Sequence, residues 1–455
     1  MKSLLGAIAF GMVLVASQAL AEPPNIVFVV SDDQRADTIQ SLGNPRIQTP
    51  TLDALVRRGT SFTRAVATYP ICHVSRAEML TGCPAREAYP KYPNPPINSK
   101  LQTLPRAFAE AGYVVCYTGK WHTDGTPQRH GYTTTSGLYS SGGGKGQRLT
   151  HQTDHAGRLV TGYTGWKFKT ASGTAEPDKG IGLTSATDRH IADGAIRFLE
   201  RQERGKPFLL HINFTSPHDP RIWPEGERHY RAADMKLPDN FAPKHPFDHG
   251  NIDGRDEKLL PRPLQQADVQ AELACYYAMI TEMDRQLGRV IQTLADTGHM
   301  SNTIIIFTSD QGLALGSHGL LGKQNLYEHT VTVPLIIAGP GMPENQRSSA
   351  QCRLYDLFPT LCELAALPIP STVQGKSLLP LLKDNIKELH PLIIAHFTDT
   401  QTMVRENRFK LIHYWKQNRS QLFDLHTDPQ ELSDLSESPA HRDLFTRLWA
   451  SLPKH

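Results

Sequence analysis

Asn25-Ile26-Val27-Phe28-Val29-Val30-Ser31-Asp32-Asp33 is the stretch on which the architecture turns. Apolar, mostly β-branched residues run without alternation from Ile26 to Val30, so a strand here has both faces buried. Burial on both faces requires helices on each side, and helical periodicity follows around Thr51–Arg58. The same alternation recurs outward along the chain. Apolar runs at Tyr113–Tyr117, Phe208–Phe214, Thr303–Thr308 and Val333–Ala338 are interleaved with helical patterns near Gln102–Ala111, Thr187–Arg204, Ala267–Thr297 and Leu354–Leu364. The expected fold class is α/β: a large, mostly parallel sheet sandwiched by helices. After about Pro370 the pattern changes. Thr402–Glu406, Phe409–Trp415 and Gln421–Leu425 read as short antiparallel strands, with turns at Asn407-Arg408 and Lys416–Ser420, before a last helix near Arg442–Leu452. This divides the mature chain into a large domain, 22–370, and a small C-terminal α+β subdomain with an antiparallel sheet, 371–455.

The chain has 455 residues, 39% of them hydrophobic, and 48 basic against 45 acidic side chains. That composition excludes disordered, collagen-like and coiled-coil proteins, and the balanced charge leaves no footprint for nucleic acid or anionic membrane. Residues 1–21 read as a signal peptide: Lys2, an apolar run Leu4–Ala16, then Ala19-Leu20-Ala21 before Glu22. The mature chain is expected to be exported, periplasmic or secreted, with no integral membrane segment. The cysteines (Cys72, Cys83, Cys116, Cys275, Cys352, Cys362) are too few for a disulfide framework at this size, and whether Cys352 or Cys362 is paired stays open. Thr133–Gly182, rich in Gly, Ser and Thr, reads as a flexible surface loop. Its run Ser140–Gly146 lacks the spacing of a phosphate loop. Asp219–Pro263, rich in Pro and charge, reads as an excursion that shapes a pocket. The sequon Asn213-Phe214-Thr215 falls in an expected buried strand and is not read as a glycan site.

Polar residues fall where the apolar strands end. The first strand runs into Ser31-Asp32-Asp33, the second into Gly119-Lys120-Trp121-His122, the third into Ser216-Pro217-His218, the fourth into Ser309-Asp310-Gln311-Gly312. In open parallel sheets ligands bind at the carboxyl ends of strands. An aspartate after a strand is ordinarily a cap or turn former, but four such ends on one edge are more than coincidence. Asp32, Asp33 and Asp310 together call for a cation, and with the Gln311 amide oxygen they suit hard Ca²⁺ or Mg²⁺, not Zn²⁺. Lys120, His122, His218 and Lys323 suit an anionic substrate, which points to sulfuryl or phosphoryl transfer. Cys72 precedes a helical pattern, where N–H groups favour negative charge; that segment alone fits a nucleophile or a buried free cysteine equally.

The ordered set resembles the formylglycine-dependent sulfatases of the alkaline phosphatase superfamily, over nearly all of the mature chain. It comprises Asp32-Asp33, Cys72-x-x-Ser75-Arg76 with Leu80-Thr81-Gly82, Gly119-Lys120-Trp121-His122, Ser216-Pro217-His218, Ser309-Asp310-Gln311-Gly312, His318-Gly319, Gly322-Lys323, and Phe423-Asp424-Leu425 with Asp428-Pro429. The resemblance implies an alkaline phosphatase-like fold and a maturase partner that oxidises Cys72 to formylglycine (3-oxoalanine), whose hydrate is the nucleophile. It implies one Ca²⁺, or less readily Mg²⁺, on Asp32, Asp33, Asp310, Gln311 and residue 72. Arg76 and Lys120 would stabilise the hydrate, and Lys120 and Lys323 the sulfate. His218 with Lys323 would protonate the leaving alcohol, and His122 would take the proton that lets sulfate depart by C–O cleavage. The chain departs from the family pattern at Val74, where Pro or Ala is usual, and at Gln311, where Asn or His is usual.

The expected activity is hydrolysis of sulfate esters, with a phosphate mono- or diesterase or a non-catalytic sulfated-glycan binder as the competing readings. Asp124, Arg129, His130, Arg221 and His249 are the candidate sugar contacts, and their polarity favours a sulfated carbohydrate over an aryl or steroid sulfate.

Overall fold

A computed structural model describes residues 22–141, 152–226, 229–384 and 386–453. The expected signal peptide, 1–21, and the Gly-rich run 142–146 lie outside the described residues. Asn25–Ser31, buried along its whole length, is the middle strand of a nine-stranded sheet. The order is Gln346–Ser348, Gly59–Phe62, Leu335–Ala338, Thr303–Ser309, Asn25–Ser31, Phe208–Asn213, Val114–Lys120, Thr134–Ser140, Lys167–Lys169. The five strands from Thr303–Ser309 to Thr134–Ser140 are parallel, and antiparallel pairs occur toward both edges. Side chains of the middle strand divide by parity: Ile26, Phe28 and Val30 enter one core, Val27 and Val29 the other. The helices Pro50–Arg57, Thr187–Leu199 and Gln266–Asp296 cover one face; Cys72–Thr81, Leu104–Glu110 and Leu357–Leu364 cover the other. The α/β sandwich expected from the apolar runs is the observed architecture.

Register decides where the site lies. Ser31 pairs with Ser309, Val30 with Asn213, and Asn213 with Gly119. The four strands therefore end level, and their polar successors emerge on one edge.

Two expectations need correction. The run Val333–Ala338 is not one strand of the parallel set. Pro334 divides it: Thr332–Val333 joins Ala65–Val66 and Cys352–Arg353 in a separate small sheet, while Leu335–Ala338 runs antiparallel to Thr303–Ser309. A continuous apolar run encodes burial but not direction. The segment Thr133–Gly182 is not simply a loop, since it supplies two sheet strands, Thr134–Ser140 and Lys167–Lys169, and a hairpin of Gln152–Thr153 with Leu159–Val160. Its small residues serve close packing: a Cβ on Gly137 would lie 3.2 Å from Cα of Gly194 in the neighbouring helix.

The C-terminal strands form a four-stranded antiparallel meander, Leu392–Phe397, Gln401–Glu406, Phe409–Tyr414 and Arg419–Asp424. The first of these was not anticipated. One face (Phe397, Met403, Ile412, Tyr414) joins the main core; the other (Val404, Leu411, Leu422) packs on Leu448 and Leu452 at the end of the chain. Buried Arg405 and Lys410 reach from the inner face to Glu328. The six cysteines are buried and none forms a disulfide, which answers the question about Cys352 and Cys362.

Candidate active site at the sheet edge

Cys72 opens the helix Cys72–Thr81, which ends at Gly82 in the left-handed conformation (φ 65°). The helix start is fastened to the sheet edge: Ser75 Oγ donates to the Asp310 carbonyl at 2.7 Å. Cys72 Sγ lies 3.2 Å from Asp32 Oδ1 and 3.2 Å from Gln311 Nε2. Asp33 Oδ2 accepts from Lys323 Nζ at 2.8 Å and is 3.7 Å from His218 Nε2. Lys120 and Tyr163 both donate to Asp32 Oδ2. Asp33 itself is held at φ 67°, a conformation that non-glycine residues adopt at some cost. Lys120 is aimed by a bulge at Gly119 (φ 90°), where a Cβ would run into the Asn213 carbonyl.

Asp310 is anchored rather than free. Its Oδ1 accepts the backbone N–H groups of Asp33 (3.1 Å) and Gln311 (3.0 Å), and its Oδ2 takes Arg76 Nε at 3.0 Å and Nη2 at 2.9 Å. Arg76 also binds Asn213 Oδ1 and stays 3.8 Å from Asp32. Three carboxylates thus face three fixed cations, Arg76, Lys120 and Lys323, all buried.

Electrostatics follow from burial. The Cys72 thiol is pushed well up by burial and then by Asp32, so it is protonated at neutral pH. Burial, opposed by Lys323 and aided by Asp32 and Asp310, pushes Asp33 up to about 7. His218 is brought down to about 3 by burial and then Lys323; its Nδ1–H donates to the Asp219 carbonyl at 2.6 Å. Arg255 grips the Asp219 carboxylate with two bonds, 2.6 and 2.7 Å. Half-buried His122 is held neutral by burial and then Lys120; its ring lies 5.7 Å from His73 and 5.4 Å from Trp166.

The donor set suits a hard cation. Ligand atoms of Asp32, Asp33, Cys72 and His218 all lie within 4.8 Å of one another. Gln311 meets Asp33 and Cys72 through Nε2 and leaves its fully buried Oε1 without a donor, so exchanging the two ends of the amide would turn a carbonyl oxygen toward a cation there. Among the described residues the other such group, Asp154, His155 and Glu272, is already occupied by Arg158 and Arg221.

The structure therefore gathers Cys72, Asp32, Asp33, Asp310, Gln311, Arg76, Lys120, His218 and Lys323 in one cluster. Three of the candidate sugar contacts are engaged with other residues. Buried Arg221 is paired with Glu272, and buried His130 bonds the Asp124 carbonyl at 2.9 Å. Asp124 accepts from the Ile97 N–H at 3.1 Å, Arg129 is exposed, and His249 is fully buried beside His245. Sequence reasoning missed Asn213, Asp219, Arg255 and Tyr163. Asn213 carried a usable signal, a polar residue closing an apolar strand; the other three carried none.

No helix among the described residues is long and apolar enough to cross a membrane. The family model for Sulfatase matches residues 24–367, and that for the C-terminal part of N-sulphoglucosamine sulphohydrolase matches 316–455. An arylsulfatase of Clostridium perfringens is 27% identical over 92% of this chain and 92% of its own length. An N-acetylglucosamine-6-O-sulfatase of Bacteroides thetaiotaomicron is 26% identical over 90% of this chain and 82% of its own. Among solved structures, a phosphonate monoester hydrolase of Agrobacterium radiobacter shares the fold (TM-score 0.75, 22% identity, 94% of both chains). Cys72 beside three aspartates at the carboxyl edge of an alkaline phosphatase-like sheet, with family matches spanning the chain from 24 to 455, is the arrangement of a sulfuric ester hydrolase: this chain belongs to the sulfatase family.

Proposed function

We propose that the protein removes sulfate from carbohydrates, with residue 72 as the nucleophile after conversion of Cys72 to formylglycine by a maturase, and with one Ca²⁺ at the carboxylate cluster. The observation that carries the reading is the convergence of Cys72 Sγ, Asp32, Asp33 and Gln311 within hydrogen-bond reach, ringed by Lys120, Lys323 and His218. Conversion is supported by the thiol's environment, since burial and Asp32 suppress the thiolate that an unmodified cysteine would need. Formylglycine supplies a hydrate hydroxyl for attack at sulfur and a route to release sulfate without a second attack there. Asp32, Asp33, Asp310 and Gln311 would hold the calcium, which would supply positive charge for the sulfate oxygens.

The chain's own residues divide the remaining work. Lys120 and Lys323 receive the sulfate's negative charge. His218, with its Nδ1–H fixed on the Asp219 carbonyl, turns an unprotonated Nε2 toward the reacting region, where it would relay to the leaving oxygen a proton supplied by the protonated Lys323. His122, half-buried beside His73 and held neutral by burial and Lys120, would be the base for a proton from residue 72. Carbohydrate specificity is supported by the relative named N-acetylglucosamine-6-O-sulfatase and by the N-sulphoglucosamine sulphohydrolase match. The chain's first 21 residues would direct export.

The deciding experiment assays the purified, maturase-coexpressed protein on sulfated mono- and oligosaccharides beside nitrophenyl sulfate and nitrophenyl phosphate. Faster release from a sugar is expected. A preference for the aryl sulfate would overturn the substrate reading, and a preference for the phosphate ester would overturn the reaction.

A further inference from the structure

Tyr163 reaches the cluster from a segment that carries none of the family's motifs. Its hydroxyl donates to Asp32 Oδ2, the oxygen that also takes Lys120. The Lys120 ammonium sits 5.0 Å from the centre of its ring, and the His218 ring stands edge-on against it at 4.8 Å. The residue is 6% exposed and is held at φ 58°, a strained conformation for a bulky side chain. That strain is imposed from both sides. Trp166 N–H donates to the Tyr163 carbonyl at 2.9 Å, and Gly162 lies so close to the loop after His218 that a Cβ would meet Asp219 Oδ2 at 2.6 Å.

We propose that Tyr163 is a positioning residue of the active site: its hydroxyl fixes the outer carboxylate oxygen of Asp32, and its ring seats Lys120 and His218. With Oδ2 held by Tyr163 and Lys120, Oδ1 of Asp32 is presented toward residue 72. Partners behind a metal ligand of this kind set its orientation, and their loss costs about 10- to 100-fold in metal affinity or activity. The segment 159–169 thereby becomes part of the site's machinery through Tyr163. The calcium half of the inference rests on the cation proposed above; the seating of Lys120 and His218 does not.

The test compares full-length wild type, Tyr163→Phe and Gly162→Ala. Calcium is titrated calorimetrically into chelator-stripped protein, and kcat and KM are measured on the best sulfated substrate. Tyr163→Phe, which keeps the ring, is expected to bind calcium about 10- to 100-fold more weakly and to lose kcat with KM unchanged. Gly162→Ala, which displaces the loop while keeping the tyrosine, should repeat the kcat loss. Wild-type calcium affinity and wild-type kcat in Tyr163→Phe would overturn the proposal, as would a change confined to KM. Should wild type itself bind no divalent cation, the cation reading falls separately, and kcat decides the rest: a loss at constant KM in Gly162→Ala, which shifts the ring, supports the seating of Lys120 and His218, and no loss in either variant overturns the proposal.

Discussion

Replacing Arg76 by Met tests the electrostatic logic of the cluster most directly. The guanidinium contacts Asp310 Oδ2 through Nε and Nη2 at 3.0 and 2.9 Å, and both side chains are buried. Methionine fills much of the volume but leaves Asp310 as an uncompensated buried charge, and breaking a buried pair from one side costs about 3–5 kcal/mol. With an unfolding entropy of about 2.1 cal/mol/K per residue, a chain this long loses about 1 °C per kcal/mol, so Tm should fall by about 3–5 °C. Adding Asp310→Asn in the same protein removes the stranded charge and should recover most of that loss, although it also removes a proposed cation ligand. Calcium should narrow the gap between Arg76→Met and wild type, because a divalent ion replaces the missing positive charge. Thermal unfolding of the four proteins of this cycle, with and without calcium, measures each term. A double variant as unstable as Arg76→Met alone, with a gap indifferent to calcium, would refute the charge argument and reduce Arg76 to packing.

Cys72→Ala should abolish turnover at unchanged Tm, and mass spectrometry of the wild-type Cys72 peptide should show exchange of H₂S for O; an intact thiol after maturase coexpression would contradict conversion. His218→Ala should slow esters of poorly departing alcohols far more than nitrophenyl sulfate, and equal slowing would count against His218 as a proton carrier. In the cation-free protein Asp33 keeps its proton up to about 7, against about 3.9 for an exposed carboxylate. Between those values folded Asp33 holds more protons than it does in the unfolded chain, so this group's own contribution to stability is greatest at low pH and is lost as pH rises to about 7. Calcium displaces that proton, so calcium affinity should climb between about pH 5 and 8 and then level, with proton release read by calorimetry in two buffers. A flat profile would contradict the coupling.

Much of the site was legible because a strand buried on both faces must be apolar throughout, so the polar residue that ends it stands out. Asp32, Lys120, His218 and Asp310 were all visible in this way, and so was the α/β class. Direction was not legible: Leu335–Ala338 is as apolar as its parallel neighbour Thr303–Ser309 yet runs the other way, because apolarity reports burial and hydrogen-bond polarity does not enter it. The strand Leu392–Phe397 escaped notice because it is half-exposed at alternate positions and offers only a short period-two signal.

The order of apolar runs and the residues that close them thus belong to the sequence alone, since both are local consequences of taking side chains out of water. Which partners those residues acquire belongs to the tertiary structure. Tyr163 on Asp32, Arg76 on Asp310 and Arg255 on Asp219 join positions far apart in the chain, and such pairings exist only once register has brought the strand ends level. The physical reason is range. Hydrophobic periodicity is written within a few residues, whereas a carboxylate's field is set by whichever charges folding places a few ångströms away.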